Sequence, residues 1–126
     1  MSTAGSEQTL ALLLDDNLMS AVRVQRQLQE AGYQVTIARA VPPPGEVAAA
    51  RRLIDSAAPS VILINLGSRG LQGVSLIGSC RERYPDARLV GFCGHLEIEI
   101  RRAAKAAGID KILTNEQALS QLRECF

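Results

Sequence analysis

Segments of strand length that are rich in apolar residues recur along the chain, and TLALLL, which Asp15 and Asp16 follow, is a continuous apolar run. Runs without alternation between apolar and polar positions are typical of strands covered on both faces, as in a parallel sheet. The pattern predicts five strands, at Thr9–Leu14, Tyr33–Arg39, Ser60–Leu66, Ala87–Cys93 and Lys111–Asn115. The third run, SVILINL, is the most hydrophobic, so we expect Val61 to Ile64 in the middle of the sheet.

The segments between these runs have helical spacing. The first predicted helix starts after an N-cap at Asn17 and ends at Gly32, and its apolar stripe consists of Leu18, Val22, Val24 and Leu28. Later helices are predicted at Glu46–Ala57, Val74–Tyr84, His95–Ala107 and Gln117–Cys125. Five strand–helix alternations with right-handed crossovers predict an α/β fold, a five-stranded parallel sheet with helices on both faces. Residues 1–8 are expected to be a flexible tail, and residues 9–126 the single domain.

Composition narrows the class of protein. The chain has 126 residues, of which 47% are hydrophobic and 21% charged, which excludes a disordered or collagen-like chain. A net charge of +1 and few aromatics argue against direct binding to nucleic acid or an anionic membrane. Three cysteines without a CxxC pair indicate a reducing compartment. Because neither a signal peptide nor a run of membrane-spanning length is recognisable, we expect a cytoplasmic protein.

Candidate chemistry collects at the predicted carboxyl ends of the strands, where ligands bind in sheets of this kind. Asp15 and Asp16 follow the first strand, and Asn65, Cys93 and Asn115 end the third, fourth and fifth. Adjacent carboxylates beside another oxygen ligand suit a hard cation such as Mg²⁺. The residues alone leave an alternative open, in which Asp16 helps to cap the first helix and Asp15 is solvated.

Two other motifs each allow both a functional and a purely structural interpretation. The loop GSRGLQG, residues 67–73, has the glycines of a phosphate-binding loop but neither the GxGxxG spacing nor a Gly-Lys-Ser/Thr ending, so turn geometry is favoured. Cys93 and His95 resemble a nucleophile pair, but no third orienting residue is evident, and we expect no enzyme.

The segments LLLDDN, VILINLGSRGLQG, YPDARLVGFCG and AAGIDKILTN resemble the receiver domain of bacterial two-component response regulators. The resemblance runs from about Thr9 to Arg123. Asn65 and Gly73 keep the family's spacing between the third-strand acceptor and a helix-starting glycine, and Ala107, Gly108 and Asp110 keep its AGxD segment. It implies a flavodoxin-like three-layer sandwich with the strand order 2-1-3-4-5.

The departures from the family pattern fall on its phosphorylation site. The resemblance places Asn65 where the family has its phosphoacceptor aspartate, and an amide lacks the attacking carboxylate oxygen. The same comparison places Cys93 at the Ser/Thr that bonds the phosphoryl group, Asn115 at the lysine, and Ile112 at the aromatic switch residue. Only the acid pair, Asp15 and Asp16, remains.

The resemblance and its departures together predict a pseudo-receiver, which is a phosphorylation-independent protein–protein interaction module for signalling. The alternative is a flavodoxin-like domain that binds a phosphate or nucleotide. We expect no cofactor, with weak Mg²⁺ binding at Asp16, Asp15, Asn65 and Gly67 at most. The partner is another protein, or a second copy in a homodimer. The family's docking face implies an interaction surface that comprises Ile98, Arg101, Arg102, Lys105, Lys111, Leu122 and Arg123.

Overall fold

Five parallel strands form one sheet at the centre of the molecule. The computed structural model describes residues 9–42, 58–68 and 70–125. The strands are β1 (Thr9–Leu14), β2 (Tyr33–Ala38), β3 (Val61–Asn65), β4 (Arg88–Cys93) and β5 (Lys111–Thr114). Their order is β2-β1-β3-β4-β5, so β3 is the middle strand and the predicted fold class is confirmed. This is the flavodoxin-like order, whose switch point lies between β1 and β3.

Helices cover both faces of the sheet. They are α1 (Leu18–Glu30), α2 (Gly73–Arg83), α3 (Ile98–Ala106), α4 (Asn115–Ser120) and α5 (Leu122–Cys125). α1 packs with α4 and α5 on one face, and α2 packs with α3 on the other. The helix predicted at residues 46–57 and the tail predicted at residues 1–8 lie outside the described residues. No helix within the described ranges is both long and apolar enough to span a membrane.

The strands separate two apolar cores because alternate side chains point to opposite faces. On β3, Ile62 and Ile64 belong to the core under α2 and α3, whereas Val61 and Leu63 belong to the core under α1, α4 and α5. All four are almost fully buried. Because β3 is covered on both faces, Val61 to Ile64 have no side chain that faces water, and their sequence is a continuous apolar run.

Two predicted details at the helices are wrong. Leu18 and Val22 are exposed, and the buried stripe of α1 is Ala21, Val24 and Leu28. The predicted last helix is two short helices, which are separated at Gln121. The first of them, α4, begins at Asn115 after a capping box between Thr114 and Gln117. The predicted N-cap at Asn17 is confirmed, since its side chain accepts hydrogen bonds from the amides of Met19 and Ser20.

Asp110 ties β4 to the segment that leads into β5. Its Oδ2 accepts a hydrogen bond from the Leu89 amide at 2.8 Å and pairs with the Arg81 guanidinium at 3.1 Å. Arg81 also donates to the carbonyl oxygens of Ala87 and Gly108. The Leu89 amide, and then Arg81, hold the pKa of the Asp110 carboxyl below its usual value.

Asp110→Asn should therefore destabilise the protein in a pH-dependent manner. A lowered folded-state pKa contributes stability above the unfolded value of about 3.9, and this stability is lost as the pH falls through the lower folded value. We expect the urea midpoint of the variant to lie below that of the wild type at pH 7, with the gap closing towards pH 3. Asp86→Asn, at an exposed turn residue, is the matched control. A pH-independent gap would contradict this assignment.

Candidate functional site at the carboxyl edge

Asp15 lies at the end of β1 with both carboxylate oxygens hydrogen-bonded inside the protein. Its Oδ1 accepts from the Asn17 amide and from Asn65 Nδ2, each at 2.9 Å, and its Oδ2 accepts from the Ser20 hydroxyl at 2.5 Å. The side chain is buried, with 3% of its surface exposed. A buried carboxylate is costly unless donors surround it, and here three donors do so.

The Asn65 side chain is fixed in one orientation by two neighbours of opposite character. Its Nδ2 donates to Asp15, while its Oδ1 accepts from the Gly67 amide at 3.1 Å. A flipped amide would place an oxygen against a carboxylate and an NH₂ group against an N–H, so the two contacts settle the assignment. The donor end of Asn65 therefore faces the acid pair, and its oxygen faces the loop that follows β3.

Asp16 faces that same loop. Its Oδ1 accepts a hydrogen bond from the Ser68 hydroxyl, whose oxygen in turn accepts from the Leu71 amide at 3.2 Å. A Cβ atom at Gly70 would lie 2.6 Å from Asp16 Oδ2, so glycine is needed for the carboxylate to fit. Gly70 therefore leaves room for a carboxylate of the protein itself.

Gly73 explains why the loop ends where it does. A Cβ atom at this position would lie 2.8 Å from the backbone oxygen of Asn65, too close for any side chain. The glycine lets the start of α2 approach the end of β3, and so keeps Asn65 against the loop. Its spacing from Asn65 is the one on which the family resemblance rests.

Glu97 reaches back over the ends of β3 and β4. Its Oε2 accepts a hydrogen bond from the Gly94 amide at 2.9 Å, and it lies 3.0 Å from the position of a Cβ atom on Gly67. Asn65 Oδ1 and Cys93 Cβ are each 3.7 Å from that same position. A third carboxylate therefore lies near Asn65, with the Gly94 amide as its donor.

A cleft of about 620 Å³ opens above these residues. Its described lining is mostly polar and includes two carboxylates and no lysine or arginine; the residues are Asp16, Asn17, Ser20, Asn65, Gly67, Ser68, Phe92, Glu97, Asn115 and Leu119. The described part of the lining is therefore acidic. Within the described ranges no group of three or more His, Cys, Asp or Glu side chains is placed to hold a metal ion.

The donor set fits Mg²⁺ poorly. Mg²⁺ needs oxygen ligands in near-octahedral geometry. Here both oxygens of Asp15 are engaged by protein donors, and Asn65 turns its N–H, not its oxygen, towards that carboxylate. A cation at the acid pair would have to displace these bonds.

Cys93 is poorly suited to act as a nucleophile with His95. Cys93 is fully buried, and burial raises the pKa of its thiol, against the opposing effect of Arg101. A thiol with a raised pKa is mostly protonated at neutral pH and is a poor nucleophile. His95 is exposed, and the charged groups that affect Cys93 are Arg101 and Glu97.

The predicted interaction surface is only partly a surface. Ile98, Arg102, Lys105 and Arg123 are exposed. Leu122 is fully buried beneath the sheet, so including it was wrong; the short helix α5 turns this residue into the core. Lys111 is half-buried and donates to the carbonyl oxygen of Cys125, and Arg101 lies against Cys93 with its Nη1 buried.

Three polar residues of the site were missed by the sequence analysis: Ser20, Ser68 and Glu97. Each makes a hydrogen bond with a residue three positions away in the sequence. Ser20 follows the N-cap Asn17 by three residues, Ser68 precedes the bonded amide of Leu71 by three, and Glu97 follows Gly94 by three. Such i to i+3 contacts are typical of turns and helix starts. By contrast, the structure brings together the predicted Asp15, Asp16, Asn65, Gly67, Cys93 and Asn115.

The fold is similar to that of solved response regulator receiver domains. No protein-family model matches the chain. A putative response regulator from Chloroflexus aurantiacus superposes with a TM-score of 0.67 at 19% identity, over 94% of this chain and 97% of that one. A response regulator protein from Burkholderia pseudomallei, solved with a phosphorylated aspartic acid, calcium ion and citrate, superposes with a TM-score of 0.65 at 26% identity, over 93% and 70%.

The sequence is also similar to a curated regulator. The photosynthetic apparatus regulatory protein RegA of Rhodobacter capsulatus is 30% identical over 110 residues, which is 87% of this chain. The chain spans 56% of the length of RegA. Together these likenesses confirm the resemblance to response regulator receiver domains that the motifs predicted.

Proposed function

We propose that this chain is a pseudo-receiver, a protein–protein interaction module of a two-component-type regulatory system that works without phosphorylation. The observation that carries the proposal is Asn65, whose amide donates to Asp15 and accepts from Gly67 at the phosphoacceptor position implied by the resemblance. An amide nitrogen or oxygen bound in this way offers no carboxylate to attack a phosphodonor. The proposal includes a cytoplasmic location and another protein as partner.

Around the residue that replaces the phosphoacceptor, the carboxylates of the site already accept hydrogen bonds from other groups of the protein. Ser20, Ser68 and the Gly94 amide each donate to one of the three carboxylates. Mg²⁺ would compete with these donors, so we propose weak binding at Asp16, Asp15, Asn65 and Gly67 and no resident cofactor. A domain that lacks an input at this pocket has nothing to shift it between two states, and therefore binds its partner constitutively.

The alternative of a phosphate or nucleotide binder is less well supported. An anionic ligand in the cleft would face the carboxylates of Asp16 and Glu97, and no described lining residue supplies a positive charge. An enzyme based on Cys93 is disfavoured by the burial of that thiol.

Intact mass measurement after incubation with acetyl phosphate and Mg²⁺ tests the proposal. We expect no change in mass, because no acceptor carboxylate stands at residue 65. A phosphorylation-competent receiver in the same reaction is the control for the donor. A one-phosphate increase that hydroxylamine removes would overturn the proposal. Asn65→Asp should not restore strong switching, since Asn115 and Ile112 still replace the lysine and the aromatic residue.

A further inference from the structure

One carboxylate oxygen, Oε2 of Glu97, fills a slot between the loops that follow β3 and β4. A Cβ atom on Gly67 would lie 3.0 Å from this oxygen, and a Cβ atom on Gly94 would lie 3.1 Å from it. Both distances are tighter than ordinary contacts of a Cβ atom. The two glycines therefore leave the space that the carboxylate occupies, although they belong to different loops.

Backbone conformation does not explain these two glycines. Among the described residues, the glycines with a positive φ are Gly32 and Gly108, so neither Gly67 nor Gly94 adopts one. An L side chain is compatible with the φ of both positions. The space taken by the Glu97 carboxylate is the requirement for glycine that the structure shows.

Glu97 also closes the turn between β4 and α3, residues 94–97, here called the β4–α3 turn. The Gly94 amide donates to Oε2 at 2.9 Å, and the Gly94 carbonyl oxygen accepts from the Glu97 amide at 3.1 Å. Leu96 within the turn and Ile98 directly after it are 77% and 60% exposed, and the Ile98 amide donates to the Leu96 carbonyl oxygen at 2.9 Å. The side chain that fills the slot thus belongs to the turn that presents two exposed apolar residues.

We propose that Glu97 is an internal clamp that holds the β4–α3 turn, and with it Leu96 and Ile98, against the loop after β3 at Gly67. The position of the turn is then set by a carboxylate of the chain itself. The inference rests on the proposed interaction function, and adds to it the contact that keeps the domain in one state.

A purely local role for Glu97 makes a different prediction. Closure of the turn through the two bonds between Gly94 and Glu97 needs nothing from the loop after β3. A clamp, in contrast, couples residue 67 to the turn, because a methyl group at Gly67 would push Oε2 away from the Gly94 amide. Gly67→Ala therefore separates the two roles.

Amide hydrogen–deuterium exchange of the full chain, resolved by NMR, tests the clamp. The reporters are the amides of Gly94 and Ile98, which are both hydrogen-bonded in the turn. Glu97→Ala should speed their exchange about tenfold or more, since the acceptor of the Gly94 amide is lost and the turn opens more often. Gly67→Ala should speed the exchange of both amides about threefold or more, because it weakens the same contact from the other loop.

The double variant Gly67→Ala, Glu97→Ala provides the sharpest readout. Without the Glu97 carboxylate, a Cβ atom on residue 67 meets Asn65 Oδ1 and Cys93 Cβ at 3.7 Å, which is ordinary contact. Exchange in the double variant should therefore be no faster than in Glu97→Ala alone. Such non-additivity is the signature of two residues in contact.

Matched controls use the same changes elsewhere. Gly78→Ala adds a methyl group on α2 where nothing lies within 4 Å, and Glu99→Ala removes an exposed carboxylate from the first turn of α3. Neither variant should change the exchange of the Gly94 amide. Thermal melting of every variant checks that the fold is retained.

The clamp is overturned if Glu97→Ala or Gly67→Ala leaves the exchange of both reporter amides unchanged. It is also overturned if the effects of the two changes multiply in full in the double variant, which would leave Glu97 a local turn residue. These outcomes leave the absence of phosphorylation untouched. Conversely, labelling by acetyl phosphate would overturn the proposed function and leave the exchange result standing.

Discussion

Asn65→Asp should lower the free energy of unfolding by about 2–3 kcal/mol in the absence of divalent cations. The change removes the amide donor from Asp15 and adds a further carboxylate next to the acid pair and Glu97. Asp15 is buried, so its lost hydrogen bond and the new repulsion act with little screening by water. Thermal unfolding in a metal-free buffer should show a midpoint about 5–10 °C below that of the wild type.

The same variant should acquire a dependence on Mg²⁺ that the wild type lacks. A carboxylate at residue 65 is a better ligand for a hard cation than an amide, and a cation that binds only the folded state stabilises it. Asn115→Asp is the matched control, since it adds an equal charge to the cleft without breaking a bond to Asp15. A metal-free Asn65→Asp protein as stable as the wild type would contradict the account of the acid pair.

Leu63→Ala should cost about 3–4 kcal/mol, within the usual range for a buried leucine that leaves a cavity. Leu63 lies on the middle strand, opposite Leu13 on β1 and Val90 on β4, and none of its surface is exposed. Strands on both sides limit how far the structure can collapse around the missing atoms. Chemical denaturation at neutral pH measures the difference directly.

Ile37→Ala on the edge strand is the control for this prediction. Ile37 is 38% exposed and β2 pairs only with β1, so its truncation removes less buried area and should cost about 1 kcal/mol. Equal losses for the two variants would contradict a middle position of β3.

The sheet could be predicted from the sequence because its central strands are buried on both faces. Val61 to Ile64 and Leu12 to Leu14 read as continuous apolar runs, and such runs leave few other placements. The helices were predicted less well, since apolar residues on a helix need not face the core. Leu18 and Val22 fit a helical stripe in the sequence, yet α1 is rotated so that Ala21, Val24 and Leu28 are buried instead. Helical spacing alone does not choose between two overlapping stripes.

The residues that line the carboxyl edge of the sheet could be predicted, but the hydrogen bonds between them could not. Parallel strands bring their carboxyl ends together, so the sheet topology alone places Asp15, Asn65 and Asn115 at the same edge. The orientation of the Asn65 amide depends on the Gly67 amide and on Asp15 at once, and a sequence does not specify a contact with two partners. The spacing of three residues between Gly94 and Glu97 indicates their hydrogen bond, but the position of Glu97 next to Asn65 depends on the path of the loop after β4. Leu122 was placed outside because the family's docking face was carried over to the whole last helix, whereas α5 turns this residue into the core.

Backbone amide chemical shifts in the presence of Mg²⁺ and beryllofluoride test most directly whether this edge can take a phosphoryl-like input. The Gly67 and Gly94 amides are the reporters, since each donates to a side chain of the site, Asn65 and Glu97 respectively. If internal hydrogen bonds have replaced the phosphorylation chemistry, both amide resonances should stay in place when beryllofluoride is added to the Mg²⁺-containing sample. Saturable shifts of both resonances that require beryllofluoride would contradict the account and would show a receiver that still responds at its pocket.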